Sequence, residues 1–338
     1  MNKTFIVRYL CFLPVLFHVS IISPAQRPVK TGQETSVTGW TDDSHYIIRQ
    51  YVNDRLPVYK SVDIRSGKEV VMQPEKTEDE IVSDMLPDNF PIGYKAVFSP
   101  DRESAVVITG NDLFLAGKGM DEPRRLTFDD DVEANVRFSP DGTKIAYTAA
   151  KDLYFYDLVT FRESRLTFDA TDRIYNGYAS WVYMEEILGR ASEYSAFWWS
   201  PDSRKIAFLR TDETDVPLFT LNRLEEGDGL HGLLEQVPYP KAGDPNPKVK
   251  MGIADVFSGK ITWVKTDCSI DQYIAWPFWK PDGSKLAVQI LNRDQNNLQI
   301  ILADPETGDF KEIYSKSRKT WVEFFEDVYV MLNGKGFI

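Results

Sequence analysis

The chain has 338 residues, of which 43% are hydrophobic and 27% are charged. This is the composition of a folded globular protein and excludes a disordered tail or a disulfide-stapled miniprotein. The length allows one large domain or two ordinary ones. With 39 Lys and Arg against 51 Asp and Glu, the net charge is −12. An acidic surface repels phosphate backbones, so the composition argues against nucleic-acid binding.

The first 25 residues have the features of a secretory signal. A positively charged start leads into a mostly apolar stretch, Tyr9 to Ile22, and Ser23-Pro24-Ala25 offers the small residues that a signal peptidase reads. We predict that residues 1–25 are a signal peptide and that residues 26–338 are exported to the periplasm or the medium. An uncleaved membrane anchor is the alternative. No later stretch is long and apolar enough to span a bilayer.

A short phrase, aromatic-Ser-Pro-Asp or a close variant, recurs along the chain. Its copies begin at Phe98, Phe138, Trp199 and Trp279, and a degenerate copy begins at Trp40. Proline fixes φ, the aspartate bonds to nearby backbone, and a following glycine adopts positive φ, so each copy predicts a tight turn. Alternating apolar and polar residues follow the turn and predict a strand. Each copy is therefore interpreted as a β-hairpin.

The spacing of these hairpins predicts a β-propeller. A period near 40 residues with about four short strands per repeat is typical of a propeller blade. The interval from Phe138 to Trp199 is longer and holds one blade with an insertion of about 20 residues, from about Ile174 to Tyr194. The interval from Trp199 to Trp279 could hold two blades, one of them lacking the phrase. A flat sandwich is the alternative, although it does not explain the repeated phrase.

The last residues predict a further, incomplete blade. Trp321 to Tyr329 begins a new strand pair, Gly334-Lys335-Gly336 is typical of a hairpin turn, and Phe337-Ile338 would begin the next strand. We therefore count five to six four-stranded blades, the last incomplete. Because a propeller must close to remove its sheet edges, we expect the sequence to be part of a longer protein.

The insertion carries two adjacent carboxylates, Glu185 and Glu186, in a segment that predicts a short helix. A blade does not need such an insertion for its own fold, and insertions of this kind often form the binding face. If the helix end faces a cavity, both carboxylates can accept charge-assisted hydrogen bonds from one ammonium group. The alternative is a solvated acidic helix face. The acidic runs at 78–80 and 129–131 are interpreted as solvated surface.

Other chemistry is sparse in the sequence. After the signal the chain has His45 and His231, neither with metal-type spacing, and it has no zinc-type cysteine pair or phosphate-binding loop. No G-x-S-x-G motif occurs. We predict no metal, no cofactor and no catalytic residue in this chain. Cys268 is the only cysteine left after signal removal, so no internal disulfide is expected.

Four stretches around and after the insertion resemble the dipeptidyl peptidase IV family of prolyl oligopeptidase-like serine peptidases. Trp-Val-Tyr-x-Glu-Glu is the most specific part, and the resemblance extends with lower clarity from about Trp40 to Ile338. The four stretches are 175–177 leading to 181–186, 196–202, 215–218, and 239–243 with 246–247 and 249–250.

The resemblance implies an eight-bladed propeller followed by an α/β-hydrolase domain that carries a Ser-Asp-His triad. It implies that Glu185 and Glu186 hold the free α-amino group of a peptide at a fixed distance from the nucleophile. The enzyme would then release N-terminal di- or tripeptides, preferentially after proline. The expected partners are peptides with a free N-terminus and the hydrolase domain. Family members often dimerise, so the resemblance also allows a homodimer. Without the triad, this chain alone is predicted to be inactive.

One departure from the family leaves the product length open. Dipeptidyl members place an arginine in an early blade, where it binds the substrate carbonyl, and the corresponding stretch, about Ser104 to Asp112, has none. The alternative function is a non-enzymatic propeller that binds peptides or a partner protein. A metal- or sugar-binding propeller has no ligand cluster to support it.

Overall fold

A computed structural model describes residues 35–51, 57–72, 78–88, 90–91, 96–223, 232–326 and 328. The predicted signal peptide, His231 and the hairpin turn at 334–336 lie outside the described residues. The chain divides into two compact units, residues 1–77 and 78–338. Nearly all of the regular structure is β-strand, as the repeated phrase predicts.

The first unit contains one antiparallel sheet of four strands in chain order. The degenerate phrase lies in its first hairpin, where Asp42 Oδ1 accepts a hydrogen bond from the Ser44 backbone N–H at 2.7 Å. The same carboxylate lies 3.0 Å from His45 Nδ1 and raises the pKa of this histidine. The strands are β1 (Thr35–Asp42), β2 (His45–Tyr51), β3 (Pro57–Asp63) and β4 (Glu69–Met72).

The second unit opens with helix α1 (Glu78–Met85) and continues with two more antiparallel sheets, each in chain order. The acidic run at 78–80 begins this helix, and the run at 129–131 is solvent-exposed as predicted. The strands are β5 (Ala96–Phe98), β6 (Ser104–Thr109), β7 (Asp112–Gly117), β8 (Arg124–Arg125), β9 (Ala134–Phe138), β10 (Lys144–Ala149), β11 (Asp152–Asp157) and β12 (Arg162–Arg165).

The fourth sheet has a first strand that is split into two segments, both of which pair with β15. A separate two-stranded hairpin, β16–β17, leaves the sheet between its second and third full strands. The two halves of the first strand are β13 (Ile174–Asn176) and β14 (Phe197–Trp199), and the other strands of the sheet are β15 (Lys205–Asp212), β18 (Lys248–Asp255) and β19 (Ile261–Trp263). The hairpin consists of β16 (Leu218–Arg223) and β17 (Leu233–Pro238).

The interval from Trp199 to Trp279 therefore does not hold two blades. Strand β15 pairs directly with β18 over its whole length, from Lys205 opposite Asp255 to Asp212 opposite Lys248. The extra residues form the two-stranded β16–β17 hairpin rather than a further four-stranded blade. The fifth sheet follows in chain order, with β20 (Gln272–Trp279), β21 (Leu286–Asn292), β22 (Asn297–Ala303) and β23 (Phe310–Ser317).

The hydrophobic core of the second unit lies between its consecutive sheets. Val106 of the second sheet packs in one cluster with Ile145 of the third, and Leu153 of the third packs with Phe208 of the fourth. A further cluster joins buried residues of the fourth and fifth sheets, together with the insertion. Sheets that pack in series on their neighbours form propeller blades, whereas a sandwich has only two facing layers. The all-β propeller prediction is confirmed.

The repeated phrase owes its turn to a buried serine. Ser99, Ser139 and Ser200 are all buried, and each hydroxyl donates to the aspartate two residues later at 2.6 Å. Each hydroxyl also accepts the backbone N–H five residues later, at 2.9–3.0 Å. Because a buried N–H without a partner is costly, this serine helps to close the hairpin.

Positive φ at the turn does not always fall on glycine. The left-handed position is Gly142 (φ 70°) in one copy and Gly283 (φ 68°) in another, but Arg102 (φ 59°) and Ser203 (φ 58°) occupy it elsewhere. In these two copies the serine network holds a backbone conformation that a side chain disfavours.

We expect Ser139→Ala to lower the free energy of unfolding by about 1–3 kcal/mol, since it leaves the buried Lys144 N–H without its acceptor. Ser284→Ala is the matched control, because Ser284 makes a similar serine–aspartate bond on the exposed fourth copy. Its cost should stay within about 0.5 kcal/mol. Guanidinium unfolding of both variants tests this, and equal losses would contradict a special role for the buried serine.

Candidate functional site

The insertion leaves the first strand of the fourth sheet at Gly177 and returns to it at Ala196. Three hydrogen bonds close its base: Gly177 N–H donates to Leu209 O, Ala196 N–H to Gly177 O, and Leu209 N–H to Ala196 O, each at 2.9 Å. Strand β15 is therefore paired without a gap on both sides of the insertion. Residues 174–176 belong to the sheet, so the insertion starts later than the sequence predicts.

Gly177 is required at this exit. Its φ is +70°, and a Cβ there would lie 3.1 Å from Leu153 Cδ1. A side chain would therefore meet both a disfavoured backbone conformation and a buried neighbour.

The neighbouring sheets carry an irregularity at the same place. Asn135 in β9 (φ 62°) and Trp276 in β20 (φ 47°) each lie three residues before the aromatic residue of the phrase, as Ala196 does in the fourth sheet. The pairing register shifts at both positions. The insertion thus enlarges a bulge that the first strands of these sheets share.

The glutamates lie on a π-helical turn, Tyr183–Ile187, followed by a short 3-10 turn, Arg190–Ser192. Two hydrogen bonds fix the π-helical turn to β20. The Ile274 backbone N–H donates to Tyr183 Oη at 3.1 Å, and Trp276 Nε1 donates to Ile187 O at 2.8 Å. Tyr183 is also 1% exposed. The two hydrogen bonds to β20 therefore anchor both ends of the turn on the next sheet.

The two glutamates have different surroundings. The Glu185 side chain is 17% exposed, and its Oε2 lies 2.5 Å from Arg190 Nε. Glu186 is exposed and has no hydrogen-bond partner among the described residues; it lines a cavity of about 340 Å³ together with Trp276 and Trp321. The structure places the two residues side by side. The exposure of Glu186 fits the alternative of a solvated helix face, whereas the burial of Glu185 does not.

A larger cavity of about 1120 Å³ adjoins the insertion through Trp181 and Tyr194. Its walls are rich in aromatic rings, and it also contains Glu213, which is 2% exposed. Burial raises the pKa of Glu213 to about 7; the Tyr175 hydroxyl and the positive charges of Arg173 and Lys151 oppose the shift.

Within the described parts of the chain, no group of three or more His, Cys, Asp or Glu side chains is arranged to hold a metal ion. None of the helices described here has both the length and the apolar character needed to cross a membrane.

We expect Tyr183→Phe to lower the free energy of unfolding by about 1–3 kcal/mol, because the Ile274 N–H loses its acceptor inside the core. Tyr154→Phe is a suitable control, since the Tyr154 hydroxyl makes no hydrogen bond to any described residue; its change should stay within about 0.5 kcal/mol. Urea unfolding of the two variants compares them. A loss for Tyr183→Phe no larger than the control would mean that this bond does not hold the turn.

Glu213 should make stability fall as the pH rises. Its pKa is about 7 in the folded protein and about 4.3 in an unfolded chain, so the folded state binds the proton more tightly. That stabilisation is lost between the two values, which amounts to roughly 2–3 kcal/mol between pH 5 and pH 8. Glu213→Gln cannot titrate, so its stability should rise relative to the parent by this amount over that range.

Unfolding free energies of the parent and Glu213→Gln, measured at several pH values, give the difference directly. Glu122→Gln, at an exposed position, is the control and should run parallel to the parent. Parallel curves for Glu213→Gln as well would show that this carboxyl titrates normally.

Comparison with known proteins identifies the family of this chain. Residues 129–338, more than half of the chain, match the family model described as the dipeptidyl peptidase IV N-terminal region. A probable dipeptidyl-aminopeptidase B from Emericella nidulans is 33% identical over 202 residues, covering 55% of this chain and 22% of that protein. An inactive dipeptidyl peptidase 10 from Rattus norvegicus is 28% identical over 227 residues, covering 62% of this chain and 28% of that protein.

The fold comparison agrees. The crystal structure of dipeptidyl peptidase 4 from Porphyromonas gingivalis superposes with a TM-score of 0.66 at 22% identity, covering 89% of this chain and 42% of that one. This chain therefore spans less than half of that structure and about a quarter of the two curated relatives. The chain belongs to the dipeptidyl peptidase IV N-terminal region family.

Proposed function

We propose that this chain is the substrate-gating part of an exported serine exopeptidase that releases N-terminal di- or tripeptides, preferentially after proline. Glu185 and Glu186 bind the α-amino group of the substrate. The catalytic Ser-Asp-His triad belongs to an α/β-hydrolase domain that this chain does not contain, and the chain alone is inactive. Its relatives named as dipeptidyl peptidases, and their greater length, support this proposal.

The observation that carries the proposal is that the turn bearing both glutamates is held against the neighbouring sheet. They lie on a turn whose two ends are hydrogen-bonded to the neighbouring sheet, beside a cavity that Glu186 lines. The backbone that carries the two carboxylates is therefore held in place before an ammonium group binds. Such preorganisation reduces the entropic cost of binding.

Binding of the α-amino group would increase the cleavage rate by fixing the distance between that group and the nucleophile. A peptide held by its α-amino group presents only bonds at a set separation from that group to a nucleophile fixed elsewhere. The carboxylates thereby select the bond, and their contribution is positioning rather than proton transfer. The reaction itself, acyl transfer through a seryl intermediate, would be carried out by the hydrolase domain.

The alternative function is a non-enzymatic propeller that binds peptides or a partner protein. One observation favours it: a relative that matches 62% of this chain is named as inactive. The amine-binding role of Glu185 and Glu186 is compatible with both functions. A homodimer, which the resemblance also implies, remains a prediction.

The test is the full-length gene product assayed with Gly-Pro and Ala-Ala-Pro chromogenic amides. The double variant Glu185→Ala, Glu186→Ala should lose about 100-fold or more in kcat/KM, since each charge-assisted bond contributes about 1.5–3 kcal/mol. Its melting temperature should stay close to that of the parent. The released product identifies dipeptide or tripeptide cleavage.

Asp121→Ala, Glu122→Ala is the matched control, because it removes two adjacent carboxylates from an exposed loop elsewhere. This control should retain full activity. An unchanged rate in the Glu185, Glu186 variant would refute the amine site. If the full-length product binds Gly-Pro peptides without cleaving them, the binding-propeller alternative is correct.

A further inference from the structure

A buried carboxyl without a partner lies where the second sheet meets the third. Glu133 directly precedes β9 and is 2% exposed, and neither of its carboxylate oxygens has a hydrogen-bond partner among the described residues. Asp112 Oδ1, at the start of β7, is likewise buried and without a partner there. Because a buried ionised carboxylate is costly unless it is paired, these oxygens require either a donor or a bound proton.

The third and fourth sheets meet through a polar cluster around Asp152 that has the same design as the one around Asp112. Each aspartate begins the third strand of its sheet and accepts a hydrogen bond at 2.5 Å from an arginine of the following strand, Arg165 and Arg125 respectively. Two residues after each arginine, a threonine hydroxyl accepts a backbone N–H of the preceding strand at 2.8–2.9 Å. The two clusters can therefore be compared position by position.

The donor in the Asp152 cluster is an amide. Asn176 occupies the position of Glu133, because in each sheet the next residue lies opposite the fifth residue of the second strand. Asn176 Nδ2 donates to Asp152 Oδ1 at 2.9 Å and to Asp169 Oδ1 at 2.8 Å. A carboxylate at this position offers acceptors only, so an ionised Glu133 cannot make the bonds that the amide makes.

The Asp152 cluster is also balanced in charge. Arg210, which pairs with Asn176 across the strands, donates from Nε to Asp169 Oδ2 at 2.8 Å. Two aspartates therefore meet two arginines. In the third sheet the position of Arg210 is taken by Ala149, the sixth residue of the second strand, so the side chain there brings no second positive charge.

The charges around Glu133 favour its neutral form. Burial raises the pKa of Glu133 to about 7; the negative charges of Asp129 and Asp112 add to this shift, and the nearby Thr127 hydroxyl opposes it. The guanidinium of Arg125 is engaged by Asp112. The Asp112 cluster therefore holds three carboxyls around one paired arginine, and a proton on Glu133 relieves their repulsion.

Tyr147 faces Glu133 from β10 but does not serve as its donor. Tyr147 is fully buried; burial raises its pKa, and the charges of Glu163 and Glu133 add to the rise. Its hydroxyl donates to Glu163 of β12. Because a tyrosine hydroxyl carries one proton, that donor is already used, and a protonated Glu133 supplies the missing donor itself.

We propose that Glu133 is a proton-dependent latch between the second and third sheets. Its carboxyl keeps a proton at neutral pH and donates it to Asp112 Oδ1, as the Asn176 amide donates to Asp152 in the next pair of sheets. When the proton is lost to solvent, the three carboxylates repel one another and the two sheets open at this point. The latch is independent of the amine site proposed above.

The direction of the pH effect follows from proton linkage. The closed latch binds the proton with a pKa of about 7, whereas a glutamate exposed by opening has a pKa of about 4.3. Protonation therefore stabilises the closed state fully below about pH 4.3, and this stabilisation is lost as the pH rises to and through 7. Opening should become up to about tenfold more frequent per pH unit between pH 5 and pH 7, and should level off above that range.

Hydrogen exchange at two equivalent amides tests the latch in the full-length gene product. Leu113 N–H donates to Thr127 Oγ1 at 2.8 Å beside the latch, and Leu153 N–H donates to Thr167 Oγ1 at 2.9 Å in the next pair of sheets. Glu133→Gln replaces the carboxyl by an amide that does not titrate. Its protection factor at Leu113, divided by that of the parent, should rise up to about tenfold per pH unit from pH 5 to pH 7. The same ratio at Leu153 should stay within about threefold.

Glu122→Gln is the matched control, because Glu122 is exposed in the loop between β7 and β8 of the same sheet. It should follow the parent at both amides. Glu213 is present in all of these proteins, so its own titration cancels in the ratio. Glu133→Asn, which carries the residue type of the next pair of sheets, replaces Glu133→Gln if that variant does not fold.

Two exchange results would overturn the inference. A ratio at Leu113 that does not change with pH would show that Glu133 holds no proton in this range. Equal rises at Leu113 and Leu153 would show that the proton stabilises the whole chain rather than this contact. Carbon-13 NMR gives a readout that needs no change at Glu133: in Glu213→Gln a glutamate carboxyl should still titrate at about pH 7, and its absence would refute the latch.

Discussion

The backbone hydrogen bonds around Gly177, Ala196 and Leu209 are the constraint on which the candidate site depends. They let the first strand of the fourth sheet be interrupted while its partner, β15, stays fully paired. Without them, the insertion would expose polar backbone groups inside a packed sheet, which is costly. With them, the segment that carries Glu185 and Glu186 leaves from the rigid part of the fold rather than from a peripheral loop.

The insertion is also held by the fifth sheet. Tyr183 and Ile187 are held by β20 of the fifth sheet, and Tyr183 and Leu188 belong to the same hydrophobic cluster as that sheet. The segment that carries the glutamates is therefore inserted in the fourth sheet but is held by both the fourth and the fifth sheets. The backbone of the turn that carries the two glutamates is therefore held by packing and by hydrogen bonds before any ligand binds.

The repeat was readable in the sequence because its signals are local. The aromatic-Ser-Pro-Asp phrase predicts turns from residues within one hairpin, and all five copies lie in a hairpin near the start of their sheet. The interval from Trp199 to Trp279 is long enough for two blades, but length alone cannot distinguish a further blade from a hairpin that leaves the sheet. The direct pairing of β15 with β18 joins residues that are between 36 positions (Asp212 and Lys248) and 50 positions (Lys205 and Asp255) apart, so no local sequence pattern indicates it.

The site was only partly predictable for the same reason. Adjacent glutamates are visible in a sequence, and a known family pattern made them candidates. Their supports are not visible: Tyr183 meets Ile274 across 91 positions and Trp276 meets Ile187 across 89. A tyrosine and a tryptophan in apolar surroundings look like ordinary core residues. Arg190 lies close enough in sequence to suggest a pairing with Glu185, but its spacing of five residues matches no regular helical contact.

The shared bulge has a consequence for how such a fold can change. A deletion or extension within a regular strand shifts every later side chain to the opposite face of its sheet. At Asn135 and Trp276, as at Gly177, the register is already broken and restored within a few residues. Chain length at these points is therefore uncoupled from the alternation of the sheet, so new segments can be acquired or lost there without rebuilding the core. The described sheets thus offer several equivalent points at which a segment can be inserted, and the insertion after Gly177 occupies one of them.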